Sequence, residues 1–218
     1  YLIAGLAPHA AIGTNKFSAC LGTMVATWHY AKCGFIHWKR VLPAVVTALL
    51  GSWLGARLAL LVEADAFKIV MLIILPLTAC YVLRKKSLRD GKAPFSERKT
   101  VLITIFLALI IGVYDGFYGP GTGTFLMLLL TAVAHVSLNE AAGTTKVINL
   151  ATNVAALVVF LVHGVVWFPL ALVAAVFGIA GNYIGANYFT RKGTGFVKPV
   201  IIIVLAIFFI KICWELAQ

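Results

Sequence analysis

The chain has 218 residues, of which 62% are hydrophobic and 11% charged, and its formal net charge is +11 at pH 7. Repeated apolar stretches of about 20 residues exclude an ordinary soluble domain and indicate a polytopic membrane protein. An excess of Lys and Arg is typical of cytoplasmic loops in such proteins, so we expect the lipid bilayer, and no nucleic acid, as a partner.

An internal repeat organises the chain, since the two halves align without a gap when Gly13 is placed on Gly143. The segment GTNK at 13–16 then falls on GTTK at 143–146, and GSWLGA at 51–56 falls on GNYIGA at 181–186. The last two segments have the spacing of small residues that favours close helix contact. In the same alignment Tyr1 corresponds to Thr131, so we expect that a hairpin preceding the first half is missing.

Apolar segments long enough to cross a hydrocarbon core of about 30 Å follow in chain order. Those of the first half are predicted at 9–31, 38–62 and 64–83. Their repeats in the second half are predicted at 138–162, 165–190 and 195–214. The polar stretch RKKSLRDGKAPFSERK between the halves is predicted to be a surface linker.

Loop charges predict opposite orientations for the two repeats. Basic residues cluster at 32–40 and in the linker, whereas Glu63 and Asp65 lie between them, so the first two loops are predicted inside and the third outside. The loop of the second half that matches Glu63 and Asp65 is basic, RKGTGFVK, which predicts an inverted unit.

The expected fold is therefore an all-α polytopic membrane protein with two inverted repeats. Each repeat is a glycine-rich broken-helix hairpin plus three transmembrane helices, the first hairpin being absent from this chain. The predicted domains are a first repeat at 1–83 without its N-terminal hairpin, a basic cytoplasmic linker at 84–99 and a second repeat at 100–218.

The stretch YDGFYGPGTGTF at 114–125 interrupts an apolar segment with an acid, a proline and several glycines. Irregular backbone at membrane depth is tolerated only beside protein or a water-filled cavity, so we expect a turn that joins two short helices and lines a cavity. A helix restarting near Thr122 would aim free N–H groups at this cavity, which favours an anion. A break that only lets neighbouring helices pack is the alternative. The predicted substrate-binding residues here are Gly119, Gly121, Thr122, Gly123 and Thr124.

Asp115 in the same stretch has two interpretations, because an ionised carboxylate in a membrane span is unfavourable unless water or a partner reaches it. It either accepts hydrogen bonds from backbone N–H groups across the turn and holds the loop in shape, or it couples transport to protons.

The segment NEAAGTTKVINLATN carries a polar face, since Lys146, Asn149 and Asn153 are spaced i, i+3 and i+7. Cations facing helix N-termini at symmetric positions predict a midplane site for a negatively charged substrate. The alternative for each lysine taken singly is that it snorkels to the interface. The cysteines and histidines lack ligand spacing, so neither a metal nor a cofactor is predicted. The predicted site residues on the matching first-half helix are Asn15, Lys16 and Thr23.

The combination of YDGFYGPGTGTF, AAGTTKVINLATN and a basic linker between repeated halves, with TNKF in the first, resembles the TauE/SafE sulfite exporter family over essentially the whole chain. The resemblance implies a multi-pass transporter of the prokaryotic plasma membrane for small sulfur-containing anions such as sulfite or sulfonates, and no catalytic pattern indicates an enzyme. The inverted units predict a secondary transporter that works by alternating access. A passive small-anion channel and a carrier for non-sulfur anions are the alternatives.

Overall fold

The computed structural model describes residues 5–63 and 95–193, and the predicted spans at 64–83 and 195–214 lie outside the described residues. All regular structure in the described part of the chain is helical. The helices are α1 Pro8–Lys32, α2 Trp38–Leu61, α3 Glu97–Phe117, α4 Thr122–Ala132, α5 Leu138–Val162 and α6 Phe168–Lys192.

Four of these helices, α2, α3, α5 and α6, are long and apolar enough to cross a membrane. Large apolar side chains stand exposed along α2, including Val46 and Leu50 at 58% each, as expected of a lipid-facing surface. The predicted span at 9–31 forms α1, which has 25 residues but is more polar because Thr14, Lys16 and Thr23 lie on its buried face. Within the described residues, the predicted all-helical membrane fold is thereby confirmed.

The two helix–turn–helix units recur at the spacing found in the sequence. Helices α1 and α5 begin at 8 and 138, and α2 and α6 begin at 38 and 168. The turn after α1 is closed by a hydrogen bond from Phe35 N to Tyr30 O of 3.0 Å, and the turn after α5 by one from Val165 N to Phe160 O of 3.2 Å. The second turn occupies the first residues of the span predicted at 165–190, which is why α6 begins only at Phe168.

A break between α3 and α4 falls within YDGFYGPGTGTF, as predicted, and α4 begins at Thr122. Gly119 and Gly121 have φ angles of 97° and 83°, a left-handed conformation in which a side chain would be strained. The prediction of two short helices is wrong for the first arm, because α3 has 21 residues and is long enough to span the membrane. Helix α3 also begins at Glu97, inside the segment predicted to be the linker.

Reciprocal glycines hold α3 against α2. A Cβ atom on Gly51 or Gly55 of α2 would collide with backbone carbonyls of α3, and one on Gly112 or Gly116 of α3 would collide with carbonyls of α2. The first of the two segments predicted to favour close helix contact therefore makes such a contact. Helix α5 packs on α1, α2, α3 and α4, so its polar face lies among the other helices.

Candidate functional site

The polar face of α5 is enclosed by neighbouring helices. Thr145, Asn149 and Asn153 are 3%, 8% and 6% exposed, whereas Lys146 is partly exposed. Burying polar groups is costly unless they are hydrogen-bonded, so the partners of each residue indicate what the face does. These partners form two groups, one around Lys16 and one around Lys146.

The first group, the ion-pair cluster, consists of Lys16, Asp115, Thr122 and Asn153. Lys16 Nζ lies 3.0 Å from Asp115 Oδ2, and the two side chains are only 2% and 7% exposed. The same ammonium donates to Asn153 Oδ1 at 3.2 Å, and the Thr122 hydroxyl donates to Asp115 Oδ1 at 2.8 Å. The ion-pair cluster therefore joins α1, the end of α3, the start of α4 and α5.

Gly119 in the break makes room for the ion-pair cluster. A Cβ atom at this position would lie 3.2 Å from both Asp115 Oδ1 and Lys16 Nζ, closer than most real Cβ contacts. The carboxylate of Asp115 does cross the turn, but it accepts from a threonine hydroxyl and pairs with a lysine. The partners of this carboxylate are therefore two side chains, whereas the expected partners are backbone N–H groups at the tip.

The second group surrounds a cavity of about 340 Å³ between α1, α4, α5 and α6. Lys146 Nζ donates to Asn182 Oδ1 at 3.1 Å, and Asn182 Nδ2 donates to Gly178 O at 2.9 Å. Among the residues that the structure describes, no carboxylate pairs with Lys146. The ammonium has further N–H groups, so it can donate to a ligand in the cavity.

Helix α4 begins at the wall of this cavity, which is lined there by Gly123 and Thr124. Thr145 also lines the cavity, and its buried hydroxyl has no hydrogen-bond partner within 5–63 and 95–193. Asn149 packs against Gly123, where a Cβ atom would lie 3.0 Å from Asn149 Nδ2. Hydroxyls, an ammonium and a helix N-terminus all supply donors, a combination suited to an anion.

The residues predicted from the sequence therefore separate into four sets. Asn15 is exposed, and the hydroxyl of Thr23 donates to the Ala19 carbonyl of its own helix at 2.7 Å, so these two are not brought to either group. Gly121 caps α4, and Asn149 lies between the groups. Near Lys16 the structure brings together Asp115, Gly119, Thr122 and Asn153, and at the cavity it brings together Gly123, Thr124 and Lys146.

Asn182 and Thr145 are cavity residues that the sequence prediction does not include. Asn182 lies inside GNYIGA, a segment predicted only to make a helix contact, and its position corresponds to Ser52 in the first repeat. A polar side chain between two glycines, larger than its repeat counterpart, is the signal that could have found it. Thr145 lies next to Lys146 in sequence and carries no separate signal.

A charged cluster near the ends of three helices is also absent from the sequence prediction. Arg40 Nη1 of α2 donates to both carboxylate oxygens of Glu140 in α5, at 2.9 and 3.1 Å. Arg40 Nε lies 3.7 Å from Glu97 of α3. Glu140 is only 8% exposed, and one guanidinium nitrogen of Arg40 contacts both of its oxygens, so this charge pair links the start of α2 to the start of α5. The contact of Arg40 Nε with Glu97 extends the link to the start of α3.

The described part of the chain has four candidate membrane spans, a buried ion pair and a cavity lined by hydrogen-bond donors. These are features of a multi-pass membrane protein with a polar site among its helices. The family model for the sulfite exporter TauE/SafE matches residues 1–212, and the chain belongs to this family. Its relatives are bacterial membrane transporters by name, which indicates a multi-pass protein of the inner membrane.

Named relatives are similar over nearly the whole chain. A Sinorhizobium sp. protein named probable membrane transporter protein ORF9 is 35% identical over 93% of this chain and 77% of its own length. The Escherichia coli strain K12 probable membrane transporter protein YfcA is 27% identical over 98% of this chain and 79% of its own length. No solved structure matches significantly.

Proposed function

We propose that the protein is a secondary transporter of small sulfur-containing anions, such as sulfite or organosulfonates, and that Lys146 is the cation that binds them. The observation that carries this proposal is the position of Lys146, which lines the cavity and donates its hydrogen bond to a neutral amide oxygen. An ammonium that lies between helices beside a cavity, with no carboxylate partner among the described residues, attracts an anion, because its surroundings screen its charge less than bulk water does. The family name supplies the sulfur oxyanion.

The two ends of the cavity differ in polarity, which supports an anion with a short apolar body. On α5, Lys146 lies one turn from Ala142, and on α6, Asn182 lies one turn from Ala186. The apolar end also includes the ring of Phe189, whose centroid lies 5.8 Å from that of Tyr30. A sulfonate group at Lys146 with its carbon atoms toward Phe189 suits this polarity. The cavity is small among sites for organic ligands, which favours a compact anion.

Alternating access is supported by the recurrence of the helix pairs at one spacing and by the opposite loop charges of the two halves. In such transporters the repeats are inverted, and the binding position lies where they meet. Lys146 belongs to the second repeat and Lys16 to the first, and their helices α5 and α1 pack on each other. The small anion and the lipid bilayer are the partners that this function requires.

Counterflow in proteoliposomes tests the proposal. Vesicles loaded with unlabelled ethanesulfonate or sulfite should accumulate the labelled compound above its outside concentration for a time, because a carrier exchanges one molecule for another. A channel lets the label equilibrate without any such overshoot. Labelled acetate serves as the non-sulfur control. Equilibration without overshoot would contradict a carrier and indicate a channel. Overshoot with acetate alone would contradict a sulfur-containing substrate.

A further inference from the structure

The two lysines related by the repeat lie in different electrostatic surroundings. Lys16 is paired with the carboxylate of Asp115, and its side chain is 2% exposed. Lys146 donates to the neutral amide of Asn182 and contacts the cavity. The same residue type at equivalent positions thus has a negative partner in one half and an open cavity in the other.

We propose that Lys16 is a second anion-binding position and that Asp115 occupies it as an anion tethered to the protein. The inference rests on the proposed function, in which Lys146 binds the transported anion. The carboxylate of Asp115 is held as a bound oxyanion would be, by an ammonium and by the hydroxyl of Thr122 at the start of α4. Gly119 leaves the space that the carboxylate and the ammonium share.

The polar face of α5 connects the two positions. Lys146 and Asn153 are two helical turns apart on this face, with Asn149 between them. Asn153 accepts a hydrogen bond from Lys16 at 3.2 Å. An anion bound at Lys16 would therefore have to displace the carboxylate of Asp115.

Chemical rescue tests the proposal. The substitution Asp115→Ala removes the tethered carboxylate, leaves the buried ammonium of Lys16 without a counter-ion, and opens a space of carboxylate size that formate fits. The experiment is done in a Lys146→Met background, so that binding at Lys146 contributes nothing. We expect formate to raise the thermal unfolding midpoint of Asp115→Ala/Lys146→Met by about 5 °C at about 100 times its dissociation constant. Gluconate at equal ionic strength, being too large for the space, should have no effect.

The triple variant Lys16→Met/Asp115→Ala/Lys146→Met is the matched control, since it has the same space and no buried cation. Its midpoint should be insensitive to formate. An equal formate response in the triple variant, or no response in Asp115→Ala/Lys146→Met, would overturn the proposal, and so would a variant that stays unfolded when purified in formate. Ethanesulfonate binding to the otherwise wild-type protein tests Lys146 separately, so failure of one idea is distinguishable from failure of the other.

Discussion

At the residue scale, the orientation of the Lys146 ammonium depends on the position of the Asn182 amide. That position in turn depends on the absence of a side chain at Gly22. A Cβ atom on Gly22 would lie 2.5 Å from Asn182 Nδ2 and 2.9 Å from Gly178 O. These are the two atoms of the hydrogen bond that holds the amide. Gly22 in α1 therefore positions a side chain of α6 that in turn orients the lysine.

We expect Gly22→Ala to weaken binding of a small sulfonate by about 2- to 10-fold, because one neutral hydrogen bond contributes roughly 0.5–1.5 kcal/mol. Titration calorimetry on the purified protein measures the affinity. Gly178→Ala is the matched control at the same interface, since its Cβ atom would make only an ordinary contact of 3.4 Å with Ser18 O. Wild-type affinity in Gly22→Ala, or an equal loss in both variants, would argue against this positioning role.

At the element scale, the hairpin α3–α4 is held to the first repeat by the glycine contact between α2 and α3 as well as by the ion-pair cluster. The first contact is apolar and close, and the second is a buried charge pair. Removing one partner of a buried pair leaves an uncompensated charge, whereas adding a methyl group to a tight helix contact forces the helices apart. Both changes act on the same element through different physics.

Gly55→Ala is expected to destabilise the protein by about 1–3 kcal/mol, since its Cβ atom would collide with the backbone of α3 at Val113 and Phe117. The repeat offers a matched control in Gly185, the counterpart of Gly55, where a Cβ atom would meet no atom of the described residues within 4 Å. Thermal unfolding in detergent compares the two variants. If Gly185→Ala is as destabilising as Gly55→Ala, the contact with α3 does not explain the cost.

The helices and the break are largely predictable from the sequence, because the length of an apolar segment and the position of its glycines determine where a helix runs and where it ends. The break before Thr122, the recurrence of the helix pairs and the polar face with Lys146 all appear in the structure. The pairing of Lys16 with Asp115 is not predictable in this way, because the two residues are far apart in sequence and spacing does not reveal which helices pack together. For the same reason, the sequence does not predict that Asn182 accepts a hydrogen bond from Lys146, because Asn182 lies in a segment whose glycine spacing indicates helix packing.

At the scale of the whole molecule, the proposed inverted arrangement would place the two interhelical turns on opposite sides of the membrane. The turn after α1 contains Cys33, which is exposed, and the equivalent turn after α5 contains His163, also exposed. The two residues occupy equivalent positions in the repeat, so they are matched probes of orientation.

Labelling with a membrane-impermeant maleimide in intact cells measures this directly, with the other cysteines replaced by serine. Cys33 should react only after the membrane is opened, because Lys32, Lys39 and Arg40 mark its side as cytoplasmic. His163→Cys on a Cys33→Ser background should react from outside. Labelling of both positions from the same side would rule out the inverted arrangement.

Binding of ethanesulfonate to purified Lys146→Met, compared with the wild-type protein by titration calorimetry, tests the central claim most directly. A hydrogen bond to a charged group contributes roughly 1.5–3 kcal/mol, so we expect the affinity to fall about 10- to 150-fold. Lys39→Met, which removes an exposed lysine, should bind like the wild type. An unchanged affinity in Lys146→Met, with the protein folded, would contradict the assignment of Lys146 as the anion-binding cation.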